Sequence, residues 1–469
     1  MSEKPTYLAV ISNRGFRSLW INQILVQLAY NTLNFALIVW VFKLIDSNLA
    51  VSALMLSIYL PAILFGIFAG VFVDVTDRKK IIILIDLLLA VSFVLFIFIK
   101  GSFLLILINT FFINTLAQFF MPSESSSIPM LVGKKQLFLA NSLFSLTLYA
   151  SFMLGYSVGG PILNIFGINT IFFLGAGMLA IAFLLAQNLP SIVASSVEKK
   201  FGKNITWSNL QKMVKVTKEE ASETFRFIRG RLNIATAIAL LSGIQGVVGI
   251  LAVLMPSYLE RVLRIHATDS SYFVMLPLGL GMVSGSLIVG RLFYNRPKRQ
   301  VVIPAILGAG IIFLLIGAAP LIARIAQSPE LPLHLTRLRY FFKVPSISFW
   351  FAAGAYLLGL FTVSVIVPCQ TVLQENTHEK NRGKIFAVLG VIMTSVAALP
   401  VVLAGGLSDV FGTAPILFTL GVLVVALGLI ARYPDFFFQE THLPKRVREF
   451  LGFGHWEKGS KLLLRKNVS

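Results

Sequence analysis

The sequence predicts an all-α polytopic membrane protein of twelve transmembrane helices in two sets of six, and three observations predict it. Charge is too sparse for a chain surrounded by water. Apolar runs long enough to cross a bilayer follow one another along the whole length. Lys and Arg gather in alternate connections between those runs.

Hydrophobic residues make up 57% of the 469-residue chain and charged ones 13%, with a mean hydropathy of +0.84. A soluble chain carries roughly 45–50% apolar and about 25% charged residues. Surface-to-volume scaling forbids a protein of this size from burying every helix on all sides, so a soluble reading fails. The net charge of +20, from 40 Lys and Arg against 20 Asp and Glu, would raise nucleic-acid binding in a soluble protein. Here the basic residues lie between apolar spans and report topology instead, so no nucleic-acid partner is expected. The single cysteine, Cys369, excludes an intramolecular disulfide framework and reads as a small core residue. Met1 to Phe16 is polar and basic, and the run after it is long enough to span, which describes a retained first helix rather than a cleaved signal peptide.

A hydrocarbon core about 30 Å thick takes roughly 20 helical residues. The first run, 19–43, carries Gln23, Gln27, Asn31 and Asn34 at intervals of four, four and three, so they share one helix face. The second, 49–73, ends at Gly70-Val-Phe-Val-Asp74 and a turn holding Asp77, Arg78, Lys79 and Lys80. The third, 81–99, contains Asp86; the fourth, 102–121, repeats the polar face with Asn114 and Gln118 and leaves Glu124 near its end. The fifth, 137–163, holds Gly155, Gly159, Gly160 and Pro161, which suit close packing and a bend. The sixth, 168–189, closes the first set.

Pro190 to Leu232 is the longest polar segment inside the chain and carries nine Lys and Arg. Within it, Thr217–Arg231 alternates charge with Phe225, Phe227 and Ile228, as an amphipathic helix on a membrane surface does, or a solvated helical linker. The second set spans 233–258, with Gln245 mid-span, then 271–293, 301–323, 347–373, 385–407 and 413–433. The expected domains are thus residues 1–189, a linker 190–232, residues 233–433 and a basic tail 434–469. Gly279-Leu-Gly281 through Gly285 superficially matches a phosphate loop, but it lies inside an apolar span with no preceding strand, which rejects nucleotide binding.

Alternate connections hold 32 Lys and Arg on the side of both termini and 8 on the other. By the positive-inside rule both termini are expected in the cytoplasm. The basic stretch Arg324–Lys343 lands on the far side, with no function to assign it.

The turn from Gly70 to Lys80 resembles the signature turn of the major facilitator superfamily, a Gly, an Asp four residues on, and a basic cluster. Val75 stands where a basic residue is usual and Asp77 where a second Gly is usual. Gly285 through Arg299 is a degenerate echo without the Asp. Pro122 and Lys134 align without gaps to Pro368 and Lys380, a repeat between the halves. Asn13-Arg14-Gly15-Phe16-Arg17-Ser18-Leu19-Trp20, Leu139-Ala140-Asn141-Ser142-Leu143, and Gln374-Glu375 with Arg382-Gly383-Lys384 are similar to the drug and siderophore exporter branch, which includes macrolide and enterobactin exporters. Asp86 sits where that branch has an Asp, but Leu89 replaces its usual Arg, and Ala29-Tyr30 replaces its usual Gly-Asp.

The resemblance implies two six-helix bundles working by alternating access about a central site. It implies a close helix approach at Gly70 and a conformational lock at Asp74, with Arg78 and Lys79 in the switch turn and Glu375 and Arg382 in a second-half gate. Helices 1, 4, 7 and 10 line the cavity in this superfamily, so Asn31, Asn34, Asn114, Gln118 and Gln245 are expected to face substrate or water; hydrogen bonding between helices explains such residues equally well. A proton-coupled antiporter needs a carboxylate whose pKa burial raises into the physiological range. Asp86 and Glu124 are the candidates, and an ion pair or helix-end partner is an equal account of Asp86.

The expected function is secondary, proton-coupled efflux of a small amphipathic molecule such as a drug, macrolide or siderophore, by a monomer in the cytoplasmic membrane. A lipid or lysophospholipid flippase and an importer of the same fold are the alternatives. A membrane-embedded transferase is remote, because the five histidines are scattered and no paired-Asp metal motif occurs. No metal, no cofactor and no ATP-binding domain are expected.

Overall fold

The computed structural model describes residues 6–74, 76–133, 136–191, 231–292, 297–327, 344–375 and 382–433, with isolated positions 219, 222, 223, 226 and 228. The linker segment Thr217–Arg231, the basic stretch Arg324–Lys343 and the tail from Pro434 lie largely or wholly outside the described residues.

All of the described regular structure is helical. A short α1 (Tyr7–Ile11) precedes α2 (Arg14–Ile45), α3 (Asn48–Asp74), α4 (Arg78–Ile99), α5 (Phe103–Leu131), α6 (Leu137–Phe166) and α7 (Ile168–Gln187). After the linker come α8 (Leu232–Ser257), α9 (Leu276–Leu292), α10 (Lys298–Gln327), α11 (Val344–Glu375), α12 (Arg382–Phe411) and α13 (Thr413–Arg432). Twelve helices are long and apolar enough to cross a membrane, α2 to α13 in turn, two of them extended by flanking turns. Leu64, Phe98, Leu104, Ile165, Phe173 and Leu184 are among many large apolar side chains left exposed on their flanks. In water that much exposed apolar surface would drive aggregation; in a bilayer it faces acyl chains.

Local chemistry sets the helix ends. Asn13 caps α2 by accepting from the Phe16 amide at 3.1 Å, and its own amide donates to the Leu131 carbonyl at 2.7 Å. Asp46, in the left-handed region at φ 53°, stops α2. Gly167 (φ 77°) and Gly412 (φ 87°) break the chain between the fifth and sixth spans of each set, where the required φ favours glycine. Several boundaries differ from the sequence reading by a few residues, and one by ten: α5 continues through Pro122 and Pro129 to Leu131, well past residue 121. Proline inside a membrane helix is tolerated because neighbouring groups satisfy the freed carbonyls. Between α8 and α9 lie π-helical turns at Tyr258–Leu263 and Ser271–Met275 around a 3-10 turn. Tyr258 anchors this stretch, fully buried, donating to the Ile316 carbonyl at 2.6 Å and stacking on Phe351.

The residues form two compact units, Met1–Asp46 with Ala53–Glu223, and Ser47–Ser52 with Thr224–Ser469. In the first unit α2 packs along α6 and α7, and α4 along α5 and α7. A Cβ at Gly155 would press on the Thr32 amide at 3.0 Å, and one at Gly159 on the Phe35 ring at 2.8 Å, so these glycines set the α2–α6 distance. Between α3 and α5 the described contacts include aromatic edges, Phe65 on Phe111 and Phe68 and Phe72 on Phe119, at centroid distances of 5.5–6.5 Å.

In the second unit α10 packs along α13, α9 along α11, and α8 along α12. The α9–α11 pair is in backbone contact: a Cβ at Gly281 would overlap the Tyr356 carbonyl, and one at Gly359 the Leu278 carbonyl. Gly281 and Gly285, which superficially matched a phosphate loop, are therefore packing residues. The first and sixth spans of this unit, α8 and α13, scarcely approach one another, although α2 and α7 in the same places of the first unit run side by side.

Candidate functional site

Most buried polar chemistry among the described residues lies in the first unit, on α2, α4 and α5. Asn22 is fully buried; its side-chain amide donates to Asp86 Oδ2 at 2.6 Å and to the Ala182 carbonyl at 2.9 Å, tying α2 to α4 and α7. Asp86 is also fully buried, and its Oδ1 has no hydrogen-bond partner among the described residues. Glu124 on α5 is 5% exposed, and its Oε1 is equally unpartnered. The two carboxyl groups stand on helices that pack together. Asn22 Oδ1 and the Thr110 hydroxyl add two more unpartnered buried oxygens. Buried polar atoms are satisfied in most proteins, so these unpartnered oxygens on α2, α4 and α5 are exceptions.

The other polar side chains singled out in the sequence, and those beside them, have other partners. Gln23 donates to the Phe144 carbonyl at 3.2 Å and accepts from the Thr147 hydroxyl at 2.9 Å, and Trp20 reaches the same hydroxyl. Asn31 is buried and donates to the Gln27 carbonyl at 2.8 Å; Asn34 is buried as well. Asn114 is buried, accepts from the Tyr30 hydroxyl and donates to the Thr110 carbonyl at 2.8 Å. Gln118, half-buried, donates to the Asn114 carbonyl at 3.4 Å, and Gln245 is half-buried in the middle of α8.

At the turn between α3 and α4, Asp77 caps α4 by accepting from the Lys79 amide at 3.1 Å, and its other oxygen accepts from the Ser191 hydroxyl at 3.0 Å. Arg78 is buried and donates to the Ser126 carbonyl at 3.2 Å, which fastens α4 to α5. At Gly70, where a close approach was expected, a Cβ would meet nothing within 4 Å among the described residues. Close helix approaches among the described glycines include Gly155, Gly159, Gly281 and Gly359. Asp74, Glu375 and Arg382 end or begin helices, but their side chains lie outside the described residues.

The second unit holds one acid that sequence reasoning passed over. Asp409, near the end of α12, accepts from the Ser47 hydroxyl at 2.6 Å and from the Asn48 and Leu49 amides at 2.8 and 3.0 Å. Ser47 Oγ accepts in turn from the Ala50 amide, so the segment Ser47–Ser52 opens a helix on a carboxylate, where the positive end of the helix dipole favours an anion. Asn22, Tyr30 and Thr147 were also missed. A Ser ahead of an apolar run is a cap signal, which could have found Ser47. Asn22 lies off the 23–27–31–34 stripe, and its partner is 64 residues away, so nothing local marked it. No group of three or more His, Cys, Asp or Glu that could hold a metal occurs among the described residues.

Twelve apolar helices in two units, with buried polar side chains on α2, α4 and α5 that include two acids, define the class of polytopic membrane transporters. The chain belongs to the Major Facilitator Superfamily, whose family model matches residues 19–328. It is accordingly a multi-pass membrane protein and a secondary transporter of small molecules, not an enzyme. The uncharacterized MFS-type transporter YfiS of Bacillus subtilis (strain 168) is 21% identical over 398 residues, which cover 83% of this chain and 85% of that protein. Among solved structures, a POT family transporter in complex with 5-aminolevulinic acid superposes with a TM-score of 0.64, at 13% identity, covering 89% of this chain and 95% of that one. The nucleoside transporter NupG gives 0.63 at 14% identity, over 90% and 99% of the two chains. At such identities these structures are similar in fold alone.

Proposed function

We propose that this transporter exports a small amphipathic molecule in exchange for protons, acting as a monomer in the cytoplasmic membrane with both termini inside. The observation that carries the coupling is the pair of buried acids in the first unit, Asp86 and Glu124, each with an unpartnered oxygen. An acid enclosed by apolar helices changes its charge by binding or releasing a proton, and each change alters the cost of keeping it away from water. Asn22 holds Asp86 to α2 and α7, so protonating Asp86 would loosen a tie among three helices. That is a direct route from a proton to a helix movement.

Export is supported by the resemblance of Asn13–Trp20, Leu139–Leu143 and Arg382–Lys384 to the exporter branch, and the internal termini by the distribution of Lys and Arg. On this reading Asn31, Asn34, Asn114, Gln118 and Gln245 face the cargo. Gly70, Asp74, Arg78 and Lys79 form the switch turn, and Glu375 and Arg382 its second-half counterpart. The test is efflux of a panel of amphipathic dyes and a labelled macrolide from an efflux-deficient host expressing the chain. Collapsing the proton gradient is expected to abolish efflux of whichever compound is moved; efflux sustained with no gradient would overturn proton exchange.

A further inference from the structure

Asp409 has no part in the export proposal, and its surroundings give it a use. Ser47–Ser52, where α3 opens, goes with the second unit, whereas α3 from Ala53 onward goes with the first. Three sets of contacts hold that opening. Asp409 of α12 accepts from the Asn48 amide on Oδ1, and from the Ser47 hydroxyl and the Leu49 amide on Oδ2, at 2.6–3.0 Å. Asn48 is fully buried, and its side chain donates to the Ser257 hydroxyl at the end of α8, at 3.3 Å. Ser52, also fully buried, donates its hydroxyl to the Val401 carbonyl of α12 at 3.1 Å. Gly405 makes room for both: a Cβ there would overlap Ser52 Oγ and stand 2.8 Å from the Asn48 carbonyl.

The way α3 is capped sets it apart. A helix leaves its first amides without partners in its own ladder. At α2 and α4 the residue just ahead supplies the cap, Asn13 and Asp77. At α3, Ser47 serves only the Ala50 amide, and the two amides before it depend on a carboxylate 361 positions away. A cap from the adjoining residue travels with its helix, but a cap from another helix is lost whenever the two part. Asp409 is exposed, where solvent screens its charge and keeps the bonds reversible. Little else grips α3: 17% of its apolar window is buried, against 61% for α2.

We infer that Asp409 is the removable cap of α3. The first turn of that helix has two conditions, held on Asp409 with residue 48 enclosed, or released with residue 48 open to solvent. The carboxylate sets the balance between them. The inference is independent of cargo, coupling ion and direction of transport, so it stands or falls apart from the export proposal.

The chain itself supplies a silent background for the test. Cys369 is its single cysteine and is fully buried, so an introduced cysteine is the one open to a reagent in solution. Asn48→Cys, in the full chain in nanodiscs, is treated with a membrane-impermeant maleimide and the labelling rate measured. It should label at least tenfold more slowly than Leu49→Cys, whose site is exposed. Adding Asp409→Ala should speed labelling of Asn48→Cys at least tenfold, the ratio that one lost charge-assisted hydrogen bond supplies. Asp409→Asn, which keeps an acceptor oxygen but no charge, should fall between. Gly405→Ala should release the turn as well, with Asp409 intact. Ser271→Cys, fully buried elsewhere in the second unit, should label no faster when Asp409→Ala is added. An unchanged rate at Asn48→Cys with Asp409→Ala or Asp409→Asn would overturn the inference. So would equal acceleration at Ser271→Cys, the mark of a unit loosened throughout, or labelling of Asn48→Cys alone as fast as that of Leu49→Cys.

Discussion

In the first unit α2 lies along α7, and the side chains between helices are polar and mostly spoken for: Asn22 on Asp86, Gln23 on Thr147, Tyr30 on Asn114. In the second unit α8 stands away from α13, and the space between is apolar and open. The second and fourth spans reverse the pattern. There the first unit sets phenylalanine edges between α3 and α5, whereas the second brings α9 and α11 into backbone contact through Gly281, Gly285 and Gly359. Two six-helix sets with the same order of spans thus differ: the first carries the buried acids and a cavity of about 280 Å3 between α2, α6 and α7, the second a cavity of about 370 Å3 beside α8.

The largest effects should come from the acids. Asp86→Asn and Glu124→Gln are each expected to cut gradient-driven transport at least tenfold while membrane insertion and monodisperse elution stay unchanged; wild-type rates in both would remove coupling from the first unit. Asp74→Asn is expected to slow transport with insertion intact, and unaltered vesicle rates would remove the switch role from that turn. Next is the backbone contact of the second unit. Gly281→Leu should destabilise by about 1–3 kcal/mol or prevent folding, because the Tyr356 carbonyl occupies the space. Gly70→Ala, with open space around it, should leave the melting temperature within error; a large drop there would restore the expected close approach. Asp77→Ala should cost about 1 kcal/mol through the lost cap of α4. Smallest is Gly243→Leu, which should raise stability by up to about 1 kcal/mol by filling the void.

Much of this architecture was legible in the sequence because membrane spans are written locally. Twenty apolar residues in a row report a helix whatever surrounds it, and the twelve expected spans overlap the twelve observed. The fourth span reads short because the apolar run gives way to Ser123-Glu124-Ser125-Ser126-Ser127, a polar end that α5 still carries as helix. The acids were legible too, since a carboxyl inside an apolar run stands out. Their partners were not: Asn22 meets Asp86 only after α2 and α4 pack, and Asp409 meets Ser47 from the far end of the chain. The cavity beside Ser242 had no sequence signal either, because it arises from what α8 and α13 fail to do.

The central claim is that the buried acids of the first unit couple cargo to protons. It is tested most directly by comparing two modes of transport in proteoliposomes carrying Asp86→Asn, using a compound that the wild type moves. Gradient-driven accumulation should fall at least tenfold while cargo exchange across an ungraded membrane continues near the wild-type rate, because exchange needs no net proton movement. Accumulation at the wild-type rate under the same gradient would contradict the account.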